Sequence, residues 1–326
     1  MSDATTNAKH PARRSSAAEI AREYGVLIII ALLLIGLSFA SDSFLTPRNL
    51  LNIFNQSAPL AIIACALTFV IIGGGFDLST GAIFGVAAVS AGWIAINVDP
   101  MVAIVAGPLI GMVLGTLNGI IITGFNVHSF LVTLATSLVY RGIAILITDG
   151  KLIPVRIAEF SWIGRSRVSI FGIEINVAVL VMLAFMALMM FLLNRTTFGR
   201  AVFAVGGNEE AALLSGIRTR LVKIVTFAMS GTAAGLAGVI TVSRISMAEP
   251  QAGSGLEFEA IAAVILGGTS IMGGAGAIWR SVAGVLLIAL IGNGFNILNV
   301  NPFFKDLTTG VIIVIAVALA ASGPKR

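Results

Sequence analysis

Long apolar runs separated by short polar segments dominate the pattern of this sequence. A run of about 18 or more apolar residues is long enough to cross a bilayer as a helix. The pattern therefore predicts an all-α, polytopic membrane protein with about ten transmembrane helices. The predicted spans are 24–40, 56–72, 81–96 (or from 78), 101–123, 128–148, 176–193, 222–242, 257–270, 277–296 and 306–321.

The polar segments divide the chain into a tail and one domain. Residues 1–23 are polar and basic, and they are predicted to form a cytoplasmic tail. Residues 24–322 are predicted to form a single transmembrane domain, with halves of about 24–175 and 176–322. The segment 195–221 lies between two long apolar runs in the second half.

Composition narrows the function classes. Of the 326 residues, 57% are hydrophobic and only 11% are charged, which is too apolar for a soluble domain. The net charge of +5 comes mostly from tails and loops, and no basic domain is available to bind nucleic acid. Cys65 is the single cysteine, and His10 and His128 lack ligand spacing, so we expect no metal and no cofactor in this chain.

The segment 195–221 carries the signature of a short helix. Basic residues cluster in it, which marks the cytoplasmic side of the membrane. Asn208 can cap a helix that begins with two acidic residues, and Gly216 can end it. A helix of this length frays in water unless it packs on something. Two readings stay open: an ordinary cytoplasmic loop, or a docking helix for a soluble partner.

Two glycine-rich segments look alike, Gly73–Ile83 and Gly267–Ile278. Each follows an apolar run, and each precedes a pair of spans that contains Asn-Gly. Five spans in each half would place the second copy in the opposite orientation, so we predict two inverted structural repeats with interrupted helices at matching places. Such breaks expose backbone groups that need protein or a water-filled cavity beside them.

Charged residues within or beside the predicted spans include Asp77, Glu257, Glu259 and Arg280. Asp77 is expensive to place at membrane depth, so it either belongs to a polar path or caps the next helix. Glu257, Glu259 and Arg280 are predicted to lie at span edges, where they reach water. Ten spans are an even number, so with the segment 195–221 on the cytoplasmic side both termini are predicted to be cytoplasmic. The external segment Asp149–Ile175 carries four basic residues, against the usual orientation bias.

Four stretches resemble one known family. The segment GGNEEAALLSGI, Gly206–Ile217, resembles the ATPase-coupling loop of sugar-importing ABC transporter permeases of the ribose-permease type. Three more stretches fit the same family in the same order. They are GGFDLSTG at 74–81, FLVTL at 130–134 followed by Arg141-Gly142, and EFEAIAAVILGGTSIMGGAG at 257–276.

The resemblance implies a function and an assembly. The chain would be the permease subunit of a binding-protein-dependent importer of a monosaccharide in a bacterial cytoplasmic membrane. It would form a homodimer and work with two copies of an ATPase subunit, which bind ATP and Mg, and with an extracytoplasmic sugar-binding protein. The coupling contacts would be Gly207, Asn208, Glu209, Glu210, Ala211, Ala212, Ser215 and Gly216.

A sugar is neutral and rich in hydroxyl groups, so its path should offer weakly binding neutral donors, acceptors and aromatic walls. The candidate path residues are Asp77, Ser79, Asn118, Phe130, Thr133, Thr269, Ser270, Asn293 and Asn296. Arg156, Arg165 and Arg167 of the external segment are candidates for docking the binding protein, against the alternative of a solvated loop or contact with lipid phosphate.

Three alternative functions remain. A secondary transporter driven by an ion gradient also uses interrupted helices. A permease for branched-chain amino acids is a neighbouring possibility. A membrane-embedded enzyme is disfavoured because the sequence offers no metal or nucleophile constellation. The chain contains no phosphate-binding G-x-x-x-x-G-K-[ST] loop, so ATP hydrolysis would belong to another polypeptide.

Overall fold

A computed structural model describes residues 17–301 and the isolated positions 304, 307, 308, 310, 311 and 314. Twelve α-helices and four short β-strands lie within residues 17–301. The helices are α1 Ala17–Ala40, α2 Pro47–Ile72, α3 Thr80–Asn97, α4 Pro100–Phe125, α5 Ser129–Thr148, α6 Ala158–Arg165, α7 Val177–Arg195, α8 Thr197–Gly207, α9 Glu209–Leu214, α10 Thr219–Ile245, α11 Leu256–Leu266 and α12 Ile278–Ile297. The strands are β1 Ile153–Pro154, β2 Arg167–Ile170, β3 Ile173–Asn176 and β4 Met247–Ala248.

The prediction of an all-α, multi-pass membrane protein is confirmed. Seven of the described helices, α2, α3, α4, α5, α7, α10 and α12, are long and apolar enough to cross a membrane. The apolar part of α1 is shorter, at Gly25–Ala40, and α11 has only 11 residues. The predicted tenth span, 306–321, lies outside the described residues apart from a few isolated positions. The count of ten therefore stays a prediction.

Helix α2 forms the centre of the bundle. It begins at Pro47, nine residues before the predicted start at 56, so much of the predicted polar connection is helical. Thr46 caps the helix by accepting a hydrogen bond from the Asn49 N–H, and proline suits a first helical turn because its φ is already fixed. Every residue from Ser57 to Ile72 is buried, since α7, α10, α11 and α12 pack around this half.

Glycines bring α4 and α10 into close contact. Gly111 and Gly115 of α4 face Gly231 and Gly235 of α10 so closely that a Cβ at any of the four would meet the other helix's backbone. Small residues at four-residue spacing allow such an approach. The four-residue spacing of these glycines along each helix thus marks the main contact between α4 and α10.

The segment predicted to be external, Asp149–Ile175, contains a helix and strands. Strand β1 pairs antiparallel with β4, which follows α10. Helix α6 packs on the end of α10, where Ser243 Oγ accepts a 2.8 Å bond from Gly164 N–H. Strands β2 and β3 form a hairpin before α7.

The two glycine-rich segments are not equivalent positions of inverted halves. The Thr68 hydroxyl, near the end of α2, donates a 2.8 Å hydrogen bond to Ser281 Oγ at the start of α12. Gly267, just after α11, packs on the backbone of Arg280 and Ser281 at the same level. Helices α2 and α11 therefore run in the same direction, whereas matching helices of inverted repeats run in opposite directions. An inverted repeat with another alignment stays a prediction.

Candidate translocation site and coupling surface

The first helix break, Gly73–Ser79, lies between α2 and α3 and is held mainly by α5. Phe76 N–H donates to Ser129 Oγ at 2.9 Å, and Leu78 N–H donates to Thr133 Oγ1 at 3.1 Å. Non-helical backbone at membrane depth needs such partners because water does not reach it freely. Thr133, a predicted path residue, is fully buried, and its hydroxyl oxygen accepts a hydrogen bond from the backbone of this break.

Asp77 is fully buried in this break. Its Oδ1 accepts hydrogen bonds from the Ser79 N–H at 3.0 Å and the Ser79 hydroxyl at 2.5 Å. Its Oδ2 accepts a 2.7 Å bond from the Ser230 hydroxyl of α10. Ser79 is the N-cap residue of α3, but its side chain makes no capping bond. Asp77 therefore closes a turn at the start of α3 and ties it to α10.

Asn118 extends these contacts to α4 and α5. Its Nδ2 donates to Ser79 Oγ at 2.7 Å, and its Oδ1 accepts from the Tyr140 hydroxyl at 2.9 Å. We call Asp77, Ser79, Asn118, Tyr140 and Ser230 the buried network. All five are at most 5% exposed. Sequence reasoning missed Tyr140 and Ser230, because a single serine or tyrosine in an apolar run carries no local signal of its partner.

The second helix break, 267–277, lies between α11 and α12. Ser270 N–H donates to Ala275 O within the segment, and Gly274 N–H donates to Ile72 O at the end of α2, each at 2.8 Å. Thr269 is buried and its Oγ1 has no hydrogen-bond partner, while Ser270 is partly exposed. A Cβ on Gly273 would lie 3.1 Å from the Gly74 Cα, so the two breaks meet directly.

The remaining predicted path residues lie elsewhere. Asn293 of α12 and Asn49 of α2 exchange two amide hydrogen bonds of 2.8 and 3.1 Å near the opposite end of α2. Asn296 is exposed, and Phe130 of α5 is 44% exposed. The structure thus brings Asp77, Ser79 and Asn118 into direct contact and places Thr133 beside them, but it does not bring Asn293 to that cluster.

The predicted short helix exists as α9, Glu209–Leu214. Asn208 Oδ1 accepts a 2.9 Å bond from the Ala211 N–H, and Gly216 follows the helix with φ of 84°. Ala212 is its one buried residue, whereas Leu213 and Leu214 are 59% and 83% exposed. An apolar, exposed end on so short a helix is a feature of a surface that meets another protein.

Helix α8, which the sequence reading missed, connects α9 to both breaks. Its Val202 and Val205 are buried against the end of α2, where Phe198 stacks on Phe69. A Cβ on Gly206 would collide with Ile72 O and lie 2.8 Å from Gly274 N. A Cβ on Gly207, one residue later, would meet no atom within 4 Å. We call α8 and α9 together the coupling platform.

A cleft of about 730 Å³ opens beside α6, on the opposite side of the molecule from the coupling platform. Arg156, Trp162 and Arg165 line it, and Arg165 Nε also donates to Arg244 O at 2.8 Å. Arg167 lies in the β2–β3 hairpin, where it pairs with Glu174 at 3.6 Å. Two of the three predicted docking arginines therefore share one cleft.

Broken helices packed inside a multi-pass bundle are typical of membrane transport proteins. A family model described as "Branched-chain amino acid transport system / permease component" matches residues 49–317. The chain belongs to this family of ABC transporter permeases, and the resemblance to its sugar-importing members is confirmed. Such permease components are not enzymes.

Several relatives align along nearly the whole chain. The Ribose import permease protein RbsC of Bacillus subtilis strain 168 is 43% identical over 92% of this chain and 93% of its own length. The D-allose transport system permease protein AlsC of Escherichia coli K12 is 37% identical over 91% of each chain. The L-arabinose transport system permease protein AraH of the same strain is 34% identical over 96% and 94%. No solved structure matches significantly.

Proposed function

We propose that this chain is the permease subunit of a binding-protein-dependent ABC importer that moves a monosaccharide across the bacterial cytoplasmic membrane. The sugar would be a ribose-like pentose, a hexose or a polyol, in line with relatives named for ribose, allose and arabinose. ATP and Mg would bind to the separate ATPase subunit. The observation that carries the mechanism is the exposed coupling platform, whose Gly206 touches both helix breaks.

The working assembly would be a homodimer of this chain with two ATPase subunits on the platform side and a sugar-binding protein on the cleft side. Both termini would be cytoplasmic, and lipid would surround the transmembrane domain of 24–322. Within each chain, the platform would contact the ATPase through the eight residues named above between Gly207 and Gly216. Exposed Leu213 and Leu214 would add apolar area to this contact.

Movement of the platform would reach the path through backbone contacts. Because Gly206 has no side chain, α8 lies directly on Ile72 at the end of α2 and on Gly274 in the second break. Interfaces packed this tightly change between discrete arrangements rather than deforming smoothly. A shift of α9 on the ATPase would therefore displace both breaks together.

Reconstitution tests the function directly. The chain is inserted into liposomes with its ATPase and binding-protein partners, and uptake of radiolabelled D-ribose, D-allose and L-arabinose is measured with and without ATP. We expect ATP-dependent uptake of at least one sugar without an ion gradient. Uptake that instead follows a proton or sodium gradient and ignores ATP would establish the secondary-transporter alternative.

Gly207→Arg tests the coupling platform. A side chain at this position meets no neighbouring atom, so the variant should insert normally. A bulky cation on the ATPase contact should lower sugar uptake about ten-fold, the equivalent of roughly 1.4 kcal/mol of lost contact energy. Gly124→Arg is the matched control, because Gly124 is also an exposed helical glycine with open space on the same side of the bundle. Equal uptake by both variants would contradict the coupling role.

Charge reversal tests the docking surface. Arg156 and Arg165 would meet acidic residues of the binding protein at the cleft, with Arg167 beside them, and such pairing raises the association rate. Changing all three to Glu should reduce the ATPase activity that the binding protein stimulates, and high salt should shrink the difference by screening. Lys151→Glu is the control, since Lys151 is exposed, pairs with Asp149 and does not line the cleft. Unchanged stimulation at low salt would exclude docking at this surface.

A further inference from the structure

The connection between α10 and α11 runs back into the bundle alongside α3. Positions along α3 face successive residues of this connection: a Cβ on Gly92 would meet Ala248, one on Gly85 would meet Pro250 O and Ala252 O, and one on Gly81 would meet Gly253 O. Gly92 lies eleven positions after Gly81 in the helix, which is about 16.5 Å at 1.5 Å per residue. Helix α11 therefore begins at membrane depth, and Glu257 does not lie at a span edge as expected from the sequence.

Two opposite charges meet at this depth. Arg141, within α5, donates from Nη1 to Ala252 O at 2.9 Å and to Pro250 O at 3.3 Å. Glu257 lies against Gly81, close enough to Arg141 for their charges to interact. Both side chains are partly exposed. Because ionised groups avoid hydrocarbon, two partly exposed opposite charges within the spans face a water-filled cavity or another protein surface.

Two buried polar atoms near Gly81 have no hydrogen-bond partner. Glu257 Oε2 is buried and has no partner, and the Oγ1 of the fully buried Thr80 beside Gly81 also has none. Buried polar atoms are normally satisfied, so each exception calls for an explanation. In the buried network, by contrast, both carboxylate oxygens of Asp77 and the amide of Asn118 are bonded to protein. Asp77 and Asn118 therefore have protein partners, whereas Thr80 Oγ1 and Glu257 Oε2 can still form hydrogen bonds with a ligand.

We propose that Thr80, Arg141 and Glu257 form a substrate-contacting site for the hydroxyl groups of a neutral, polyhydroxylated molecule. The ligand class rests on the proposed function. A sugar hydroxyl both donates and accepts, so it can bond to the Glu257 carboxylate and the Arg141 guanidinium without a counter-ion. Phe258 follows Glu257 in α11 and is 52% exposed. Its aromatic ring would offer an apolar face to the C–H groups of the sugar ring. Thr80 is fully buried in this structure, so a sugar would reach its hydroxyl only if the connection moved away from α3.

Water access tests the site without knowledge of the sugar. Phe258→Cys is reacted with a hydrophilic methanethiosulfonate in the assembled transporter in liposomes, and the wild type, with its single buried Cys65, gives the background. The control is Val113→Cys, in the middle of α4 and 55% exposed, because it has similar exposure but no charged neighbour in its helix. We expect Phe258→Cys to react at least about ten times faster, since thiol reactivity needs the thiolate and therefore water. Equally slow reaction of both would overturn the site, because lipid or protein would then cover it.

Thr80→Val tests the contact itself. The Thr80 hydroxyl makes no hydrogen bond in the fold, so its removal should not reduce the amount of inserted protein. We expect sugars moved per ATP hydrolysed to fall about three- to ten-fold, the range for one lost hydrogen bond. Thr116→Val is the control, because the Thr116 hydroxyl bonds only to Met112 O of its own helix. Glu257→Gln should lower the same ratio, and Glu249→Gln, at an exposed residue of the same connection, should not.

The outcomes separate the site from the transport function. The ratio is measured with whichever of D-ribose, D-allose and L-arabinose the wild type moves. Wild-type ratios in both Thr80→Val and Glu257→Gln would overturn the site while leaving the proposed function intact. Absence of ATP-dependent uptake by the wild type would overturn the function, and the labelling rates would still decide whether the cavity exists.

Discussion

Asp77 and Glu257 are two carboxylates at membrane depth, and the fold treats them in opposite ways. Asp77 is fully buried, and three hydrogen-bond donors occupy its two oxygens. Glu257 is partly exposed beside Arg141, and one of its oxygens has no partner. Asp77 lies three residues before the start of α3, and Glu257 lies against Gly81, the second residue of that helix. The comparison separates a carboxylate that holds helices together from one that is available to a ligand.

The difference has a physical cause. A buried acceptor is stabilising only when donors replace the water that it has lost, and the serines and backbone around Asp77 supply them. Glu257 has the nearby charge of Arg141 instead of a full set of short hydrogen bonds. A saturated network resists rearrangement because every bond must be broken together, whereas an unsaturated pair can exchange one partner for another. Substitutions at and around the two residues should therefore have different signatures.

The largest effect is expected for Asp77→Ala. The change leaves the Ser79 N–H, the Ser79 hydroxyl and the Ser230 hydroxyl without their acceptor, at about 1–3 kcal/mol for each unsatisfied buried group. We expect a clear fall in the Tm of the detergent-purified protein and in its membrane level. Asp77→Asn keeps one acceptor oxygen and should lose less. An Asp77→Ala protein that is as stable as wild type yet inactive would place Asp77 in the path instead.

Gly81→Ala should have an intermediate effect. Its new Cβ would collide with the Glu257 carboxylate and with Gly253 O, so α11 must shift away from α3. Overpacking of this kind costs about 1–3 kcal/mol. Sugars moved per ATP should fall more steeply than membrane level, because the shift separates Glu257 from Thr80. Gly142→Ala on α5 is the control, since no atom lies within 4 Å of its new Cβ. Equal behaviour of the two variants would show that Gly81 does not set this geometry.

Local chemistry explains what the sequence predicted well. Helix α9 follows from Asn208 as the cap and from Gly216 at its end, and both signals lie within a few residues. Asp77 was predicted to be a path or capping residue because a carboxylate between apolar runs needs partners. Helix α8 was missed because its three glycines and Arg200 are typical of a loop. The spacing of Phe198, Val202 and Val205, at i, i+4 and i+7, is the apolar stripe that would have revealed it.

The residues that could not be predicted from the sequence are those whose partners lie far away along the chain. Nothing near Ser230 in the sequence distinguishes it from other small residues of α10, although it completes the bonding of Asp77. The connection before Glu257 contains Pro250, Gly253 and Gly255, so it resembles a surface loop and hides its return into the bundle. Arg141 inside an apolar span was the available signal, because an intramembrane cation implies a partner carboxylate.

The smallest effect is expected for Asn293→Ala, which tests whether the comparison extends to a neutral polar pair. Asn293 was a predicted path residue, but its amide is bonded to Asn49, as Asp77 is bonded to its serines. It should therefore behave as a structural residue. Loss of one partly exposed pair should cost about 1 kcal/mol and lower the Tm slightly, with sugars moved per ATP unchanged. Asn296→Ala, at an exposed position one turn further along α12, should change even the Tm little. Fewer sugars moved per ATP by Asn293→Ala, at the wild-type Tm, would show that Asn293 belongs to the transport path. A full set of hydrogen bonds within the protein would then no longer distinguish structural residues from substrate-contacting ones.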